Sequence, residues 1–314
     1  MQQLKARTLT DLSSHLLPRT PRLFAIDVDG TLLTSDHRIT ALTRDAIART
    51  RAAGAEVVLA SSRPPGALEP ILRHLDLVEP VVFIASQGAV TGTARVGGGL
   101  RIHHRESLPL KDAQRFARDA TAMGRTVSWF TPSSWFVSRF DDDVRLEAEV
   151  VGLEPVLRDL GRVEEPPDKL MLMSTPVHAL ATDALWLGIP TTLQAQGSSA
   201  RYVEITKRGI DKSTALRRYC DTTRVHASSV AAIGDGLNDL ALFDYSGISI
   251  AMANARAEVL DKAEFVTSSN DKDGVATALD LLMRFPSAPE KLRANRTSVT
   301  DALPAIQGLL GTWG

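Results

Sequence analysis

Two short acidic turns contain the residues of this sequence that are best suited to chemistry. Asp27 and Asp29 lie two positions apart at the end of an apolar run, so both side chains can face the same side of a sheet. Carboxylates this close repel one another, and a cation between them would allow both to be ionised. Oxygen ligands suit Mg²⁺, which completes its shell with water and phosphate. Asp235 and Asp239 form a second acidic turn after another apolar run, and the two turns could meet at one sheet edge.

Two further polar residues could complete a site for an anion. Lys212 follows Asp211 at the start of a predicted helix and could offset the charge of a phosphate group. Ser61 follows a third apolar run and offers a hydroxyl donor. Together with a metal ion and a carboxylate nucleophile, these residues would form a clamp around the oxygens of a phosphoryl group.

The elements that must position these residues alternate between strands and helices. Short apolar runs predict the strands, and amphipathic stripes predict the helices between them. The predicted strands are 23–26, 56–60, 81–85, 230–233, 248–251 and 265–267, and the predicted helices are 40–53, 67–75 and 214–219. Such alternation indicates βαβ units and an α/β fold with a Rossmann-like, doubly wound parallel sheet. In these sheets ligands bind at the carboxyl ends of the strands, which is where the polar turns lie.

A long segment interrupts this pattern and predicts an inserted α+β cap domain. It contains hairpins at 95–102 and 126–137, helices at 110–123 and 177–187, a strand at 170–173, and strands near Thr191 and Tyr202. We therefore divide the chain into four parts. These are an N-terminal extension (1–21), a catalytic core (22–86 and 202–285), the cap (87–201) and a C-terminal tail (286–314).

The composition excludes several classes of protein. The chain has 314 residues, 44% hydrophobic and 23% charged, which are values of a globular protein and not of a disordered one. Its formal net charge of −1 gives no electrostatic reason to expect nucleic acid or an anionic membrane as a partner. The one cysteine, Cys220, cannot form an internal disulfide, and no apolar run approaches the ~20 residues that span a bilayer. We expect a cytoplasmic protein.

The motifs, taken together and in this order, resemble those of the haloacid dehalogenase-like phosphatases. Residues 27–32 (Asp-Val-Asp-Gly-Thr-Leu) look like the first motif of that family, and Ser61 matches the Ser or Thr of the second. Lys212 within 209–213 resembles the third motif, and 234–239 (Gly-Asp-Gly-Leu-Asn-Asp) resembles the fourth. The stretches 251–255 and 269–275 are similar to the Cof-like branch, which carries a large cap between the second and third motifs.

This resemblance implies a role for each residue. Asp27 would attack phosphorus to give an aspartyl-phosphate, and Asp29 would act as the general acid and then as the general base. Mg²⁺ would be bound by the Asp27 carboxylate, the backbone carbonyl of Asp29 and Asp235. The phosphoryl oxygens would be held by side chains of the second, third and fourth motifs, namely Ser61, Ser62, Lys212 and Asn238. Asp239 would orient either the metal shell or Lys212.

Two positions depart from the family pattern. Ser62 stands where the family often has glycine, which adds a side chain beside the phosphate. Gln87 stands where the family commonly has asparagine at the entry to the cap, which keeps the amide and lengthens its reach. Neither change removes a catalytic group, but both bear on which substrate is accepted.

The resemblance favours an Mg²⁺-dependent phosphatase that hydrolyses a small phosphorylated metabolite, with sugar phosphates as the leading class. We expect a monomer or a small homo-oligomer with no nucleic acid or membrane partner. Two alternatives stay open. One is a phosphomutase of the same superfamily, and the other is a non-catalytic regulatory protein that binds sugar phosphates. Retention of Asp27 and Asp29 argues against the regulatory protein, because binding alone needs no nucleophile.

Overall fold

The computed structural model describes residues 7–8, 20–75, 79–95, 97–173, 188–197 and 202–284. Within these residues, nine strands form one sheet, which we call the core sheet. In spatial order its strands are β1 (Arg7–Thr8), β15 (Phe265–Val266), β14 (Ile248–Ala251), β13 (Val230–Gly234), β2 (Leu23–Asp27), β3 (Glu56–Ala60), β4 (Val81–Ala85), β5 (Val90–Ala94) and β6 (Leu100–Arg105). In this spatial order, every neighbouring pair from β1 through β15, β14, β13, β2 and β3 to β4 is parallel. The pairs β4–β5 and β5–β6 are antiparallel.

Helices cover both faces of the core sheet. The helices of the core are α1 (Ala41–Ala52), α2 (Pro65–His74), α5 (Lys212–Thr223), α6 (Leu240–Tyr245), α7 (Ala257–Leu260) and α8 (Gly274–Arg284), and those between its two halves are α3 (Leu110–Ala122) and α4 (Asp142–Val151). Because alternate residues of a strand point to opposite faces, Phe24 packs in the cluster that contains Ile47 of α1. Leu23 and Ala25 pack in the cluster that contains Leu216 of α5. The predicted doubly wound α/β core is confirmed.

Six further strands of the described part of the chain form a second, smaller sheet. In spatial order they are β11 (Leu193–Gly197), β12 (Tyr202–Lys207), β10 (Lys169–Met173), β7 (Thr126–Phe130), β8 (Trp135–Val137) and β9 (Val156–Leu157). One face packs on α3, and Phe116 of α3 and Leu170 of β10 belong to the same hydrophobic cluster. The other face packs on α4 and reaches Ala67 of α2, so this face is turned towards the core. We call this sheet with α3 and α4 the cap.

One part of the sequence prediction is wrong at the start of the insertion. The sequence predicts that the hairpin around the glycine turn at 95–102 is part of the cap, but the strands on either side of this turn, β5 and β6, belong to the core sheet. β5 pairs antiparallel with β4 because the chain reverses at once through a short turn, Ser86–Gly88. The second sheet starts only at Thr126, well beyond the predicted boundary at Gln87. The far boundary also differs, because β12 (Tyr202–Lys207) belongs to the second sheet although the sequence prediction places 202–285 in the core.

Several predictions fall outside the described residues. These are the helix predicted at 177–187, most of the N-terminal extension and all of the C-terminal tail. Of the extension, the described strand Arg7–Thr8 pairs with Phe265–Val266 at the edge of the core sheet. Among the helices that the structure describes, none is both long enough and apolar enough to cross a membrane.

Candidate active site

The carboxyl ends of the central parallel strands bring the predicted site residues together. In the register of the sheet, Asp27 lies opposite Ala60 of β3, and Ile26 lies opposite Ile233 of β13. Ser61 and Asp235 follow these strands directly, so the turns on both sides of β2 open at the same edge as Asp27. The order of the strands is therefore enough to bring residues from distant segments of the sequence together in one site.

Lys212 is the centre of this site. It is the first residue of α5, whose start is fixed by the Asp211 side chain and by Thr214 in a reciprocal pair of capping hydrogen bonds. Its Nζ lies 2.6 Å from Oδ1 of Asp27 and 2.7 Å from Oδ1 of Asp239. The ammonium group therefore bridges the first and fourth motifs.

Because Lys212, Asp27 and Asp239 are buried together, the charge of each strongly affects the pKa of the others. Lys212 and Asp239 are fully buried, and Asp27 is nearly so. Burial alone would lower the pKa of Lys212, but the charges of Asp239 and Asp27 outweigh it and raise the pKa above its ordinary value. Burial, and then the charge of Asp239, raise the pKa of Asp27 well above its ordinary value despite the opposing effect of Lys212.

Asp235 completes a cluster of three carboxylates. One oxygen from each of Asp27, Asp235 and Asp239 lies within 4.8 Å of the others. Thr31 donates a hydrogen bond of 3.0 Å to Oδ1 of Asp235. Gly30 has a left-handed backbone (φ +78°), and a Cβ at this position would overlap the Asp235 carboxylate. The left-handed backbone and the nearby Asp235 carboxylate both require glycine at position 30, where the first motif approaches the fourth.

The donor set of this cluster fits the Mg²⁺ that the resemblance implies. All three groups are carboxylates, and hard oxygen donors are what Mg²⁺ prefers. Burial and the charge of Asp239 raise the pKa of Asp235 to about 6. A cation among the three carboxylates would oppose this rise, because an opposite charge favours the ionised form. The cluster contains Asp239 and not the side chain of Asp29, for which the predicted metal ligand is the backbone carbonyl.

The carboxylate of Asp29 is held by an arginine that the sequence analysis did not single out. Arg63 donates from Nε to Oδ2 of Asp29 at 2.9 Å and from Nη2 to Oδ1 at 2.7 Å. Its third nitrogen, Nη1, donates to the backbone carbonyl of Val150 in α4 at 3.1 Å. The guanidinium is buried, whereas the side chain of Asp29 is 40% exposed. Arg63 therefore holds one side of the Asp29 carboxylate, and the other side is exposed to solvent.

Ser61 and Ser62 lie in the turn that also carries Arg63. Ser61 is fully buried, and its Oγ accepts a hydrogen bond of 3.0 Å from the backbone N–H of Arg63. This bond does not use the hydrogen of the hydroxyl, so the group can still donate to an anion. Ser62 is only partly buried in the same turn.

Asn238 is paired with Gln87, one of the two residues that depart from the family pattern. Nδ2 of Asn238 lies 3.3 Å from Oε1 of Gln87. Gln87 is buried and has a left-handed backbone (φ +59°, ψ +27°), which is unusual for a residue other than glycine. Among the described residues no partner faces its Nε2. Both side chains are therefore buried at the site and joined to each other through their amide groups.

Two residues of the site were missed by the sequence analysis. Arg63 stands two positions after Ser61, and Thr31 lies within the first motif. The positions alone gave a weak signal, because a side chain near a strand end can point towards or away from the site. Thr31 has no role in the sequence prediction, but in the structure its hydroxyl donates to Asp235 and orients that carboxylate.

Comparison with known proteins identifies the family of this chain. The family model described as haloacid dehalogenase-like hydrolase matches residues 24–279. A Bacillus subtilis (strain 168) protein named Putative phosphatase YxeH is 30% identical over an alignment of 279 residues, and the match covers 83% of this chain and 98% of that protein. A second protein of that strain is named 5-amino-6-(5-phospho-D-ribitylamino)uracil phosphatase YwtE. It is 27% identical over an alignment of 289 residues, and the match covers 83% of this chain and 98% of that protein.

A solved structure gives the same result for the fold. The phosphatase BT1666 from Bacteroides thetaiotaomicron, of the haloalkanoate superfamily, matches with a TM-score of 0.71 and 26% identity, covering 86% of this chain and 99% of that one. The family model covers most of the chain, including every motif of the site. The chain therefore belongs to the haloacid dehalogenase-like hydrolases, and within that superfamily it is a Cof-like phosphatase.

Proposed function

We propose that this phosphatase hydrolyses the phosphate ester of a small metabolite through a phosphorylated intermediate on Asp27, and that it requires Mg²⁺. The observation that supports this most is the position of Asp27. Its carboxylate is buried at the end of a central strand, 2.6 Å from the ammonium of Lys212 and inside the cluster of three carboxylates. A carboxylate that served only structure would not need two acidic neighbours at such close range.

In the first step, an oxygen of Asp27 attacks phosphorus and the bond between phosphorus and the ester oxygen breaks. Asp29, in its protonated form, gives its proton to the departing oxygen, so that an alcohol leaves. Lys212, Ser61 and Asn238 would donate to the phosphoryl oxygens. The products of this step are the alcohol, the aspartyl-phosphate and an ionised Asp29.

In the second step, a water molecule attacks the phosphorus of the aspartyl-phosphate. The ionised Asp29 takes a proton from this water, and the bond between phosphorus and the Asp27 oxygen breaks. Inorganic phosphate leaves, Asp27 is again a carboxylate, and Asp29 is again protonated. One side chain thus serves as acid and then as base.

Asp27, Asp235 and the backbone carbonyl of Asp29 would hold Mg²⁺. When bound, this ion would offset the negative charge that gathers where a phosphate group meets three carboxylates. Asp239 has a different task in this proposal. Its Oδ1 accepts from Lys212, and its Oδ2 accepts from the backbone N–H groups of Asp235 and Gly236 at 3.1 and 3.0 Å. It would therefore position both Lys212 and the turn that carries Asp235.

The substrate that we favour is a sugar phosphate or a phosphorylated sugar alcohol. The name of YwtE, a relative of this chain, specifies a phosphoribitylamino compound as its substrate. The cap would select the leaving group and exclude water, because all the proposed catalytic side chains lie in the core. We further propose a cytoplasmic enzyme that is a monomer or a small homo-oligomer.

A substrate panel tests this function. Purified protein is incubated with sugar phosphates, pyridoxal phosphate, flavin mononucleotide and p-nitrophenyl phosphate, and inorganic phosphate is measured. A phosphatase releases phosphate, a phosphomutase converts one sugar phosphate into another, and a regulatory protein binds without turnover. Chelator should abolish the release, Mg²⁺ should restore it, and Ca²⁺ should inhibit because of its larger and looser shell. Full activity in excess chelator would contradict the metal requirement.

A further inference from the structure

Arg63 makes two kinds of contact with different parts of the protein. Towards the core, Nε and Nη2 engage both oxygens of Asp29 at 2.9 and 2.7 Å. Towards the cap, Nη1 donates to the carbonyl of Val150 at 3.1 Å. A guanidinium is planar and rigid, so these contacts fix its orientation and that of the carboxylate together.

The backbone of Arg63 is itself fixed from both sides. Its N–H donates to Oγ of Ser61, and its carbonyl accepts from the N–H of Ser86, the first residue after β4, at 2.8 Å. Pro64 and Pro65 then begin α2 and restrict the backbone further. The guanidinium therefore starts from a rigid support at the carboxyl ends of β3 and β4.

The cap contributes the end of a helix. Val150 lies in the last turn of α4, where carbonyls have no partner within the helix and carry partial negative charge. The last turn of α4 contains no basic residue of its own. Arg63, from the core, supplies the positive charge that this helix end would otherwise lack.

We propose that Arg63 is a positioning residue that holds the carboxylate of Asp29 in its working orientation and ties that orientation to the seating of the cap. This inference rests on the proposed function, in which Asp29 acts first as acid and then as base. Arg63 itself performs no step, since a guanidinium does not give up its proton in proteins. Its effect is on the direction in which the Asp29 oxygens point.

The two steps of the proposed reaction make this role measurable. p-Nitrophenolate is a good leaving group and needs little help from an acid, so the first step should survive a misplaced Asp29. The second step still needs Asp29 as a base, because the attacking water must lose a proton whatever the leaving group of the first step was. Loss of the Asp29 orientation should therefore allow the aspartyl-phosphate to form and then slow its hydrolysis.

The experiment follows p-nitrophenolate release after rapid mixing of p-nitrophenyl phosphate with Arg63→Met. We expect a burst close to one product per active site, followed by steady turnover about 10²-fold slower than in the wild type, as expected for a misplaced catalytic group. Asp29→Asn should show the same burst. The double variant Arg63→Met/Asp29→Asn should be no slower than Asp29→Asn alone, because Arg63 acts through Asp29.

Two further variants serve as controls for Arg63→Met. Arg63→Lys keeps the charge but cannot span Asp29 and the Val150 carbonyl, so it should show the burst with a smaller loss of turnover. Arg73→Met removes an arginine of α2 that is 65% exposed and pairs with Glu69, and its kinetics should match the wild type. Arg63→Lys also serves if Arg63→Met does not fold, as judged by thermal unfolding.

Three results would overturn the inference. A raised KM with unchanged kcat and no burst would make Arg63 a substrate ligand. A loss without a burst, or one that adds fully to that of Asp29→Asn, would make its role structural or independent. Unchanged kinetics would mean that the contact has no function. If instead Asp27→Asn stays active, the proposed function fails, and the role of Arg63 fails with it.

Discussion

Lys212 and Asp27 form a buried ion pair of 2.6 Å although they are 185 positions apart in the chain. The second carboxylate on Lys212, that of Asp239, lies 2.7 Å away. Removing one partner of a buried pair leaves a charge that water cannot reach, and this is far more costly than breaking a pair at the surface. The same contact should therefore matter for both folding and activity.

Lys212→Met should lower the free energy of unfolding by about 3–5 kcal/mol and abolish phosphatase activity. The physical reason is that Asp27 and Asp239 would remain buried without a counter-charge. The matched control is Lys207→Met, because Lys207 pairs with Glu106 but is 42% exposed, and its loss should cost about 1 kcal/mol or less. Urea unfolding measures both. Equal losses in the two variants would contradict the importance given to the buried pair.

Gly30→Ala should raise the Mg²⁺ concentration needed for half-maximal activity or remove activity. The added Cβ would overlap the Asp235 carboxylate and push it away from the other two acids. Gly54→Ala is the control, since Gly54 also has a left-handed backbone (φ +87°) but no atom of the described residues lies within 4 Å of an added Cβ. Both variants should lose about 1–2 kcal/mol of stability from the backbone alone.

Titration of activity with Mg²⁺ separates the two glycine variants. We expect Gly54→Ala to have the wild-type Mg²⁺ requirement and Gly30→Ala to depart from it. If both variants keep the wild-type requirement, Asp235 does not depend on the close approach of the first motif.

Asp168, at the join between core and cap, should make stability depend on pH. Burial raises the pKa of Asp168 to about 6 from an ordinary value of 3.8, although Arg105 at 2.5 Å opposes the rise. The folded protein therefore binds this proton more tightly than the unfolded chain. Its contribution to stability is present below about pH 4, is lost as the pH rises to about 6, and is constant above that.

Asp168→Asn cannot titrate, so the difference in unfolding free energy between wild type and variant isolates this group. The difference should shift against the wild type by about 2 kcal/mol between pH 4 and pH 7. Glu165→Gln, at a partly exposed neighbour of the same arginine, should follow the wild-type pH dependence. A difference between wild type and Asp168→Asn that is constant with pH would show that Asp168 keeps its ordinary pKa.

The site residues whose location depends only on their strand's place in a parallel sheet could be predicted from the sequence. Asp27, Ser61 and Asp235 meet because parallel strands end at one edge, and this follows from the alternation of strands and helices. Lys212 joins them because α5 begins beside that edge, with Asp211 as a recognisable helix start.

The contact between Arg63 and Asp29 could not be predicted in the same way. It depends on the direction of a long side chain and on the end of α4, which the sequence analysis did not identify. The boundary signals of α4 were present, since Asp141 caps its start and Gly152 (φ +66°) follows its end. The assignment of β5 and β6 failed for another reason, because pairing along an open sheet edge is not encoded in the hairpin itself.

The most direct test of the mechanism is to trap and locate the phosphoryl group. The enzyme is mixed with p-nitrophenyl phosphate, quenched in acid within one turnover, digested, and analysed by mass spectrometry. We expect the mass of one phosphoryl group on the peptide that contains Asp27, and borohydride reduction should convert that residue alone. Asp27→Asn should fold, carry no label and release no phosphate. A wild-type enzyme that turns over with no label at Asp27, or an Asp27→Asn variant with substantial activity, would contradict the aspartyl-phosphate mechanism.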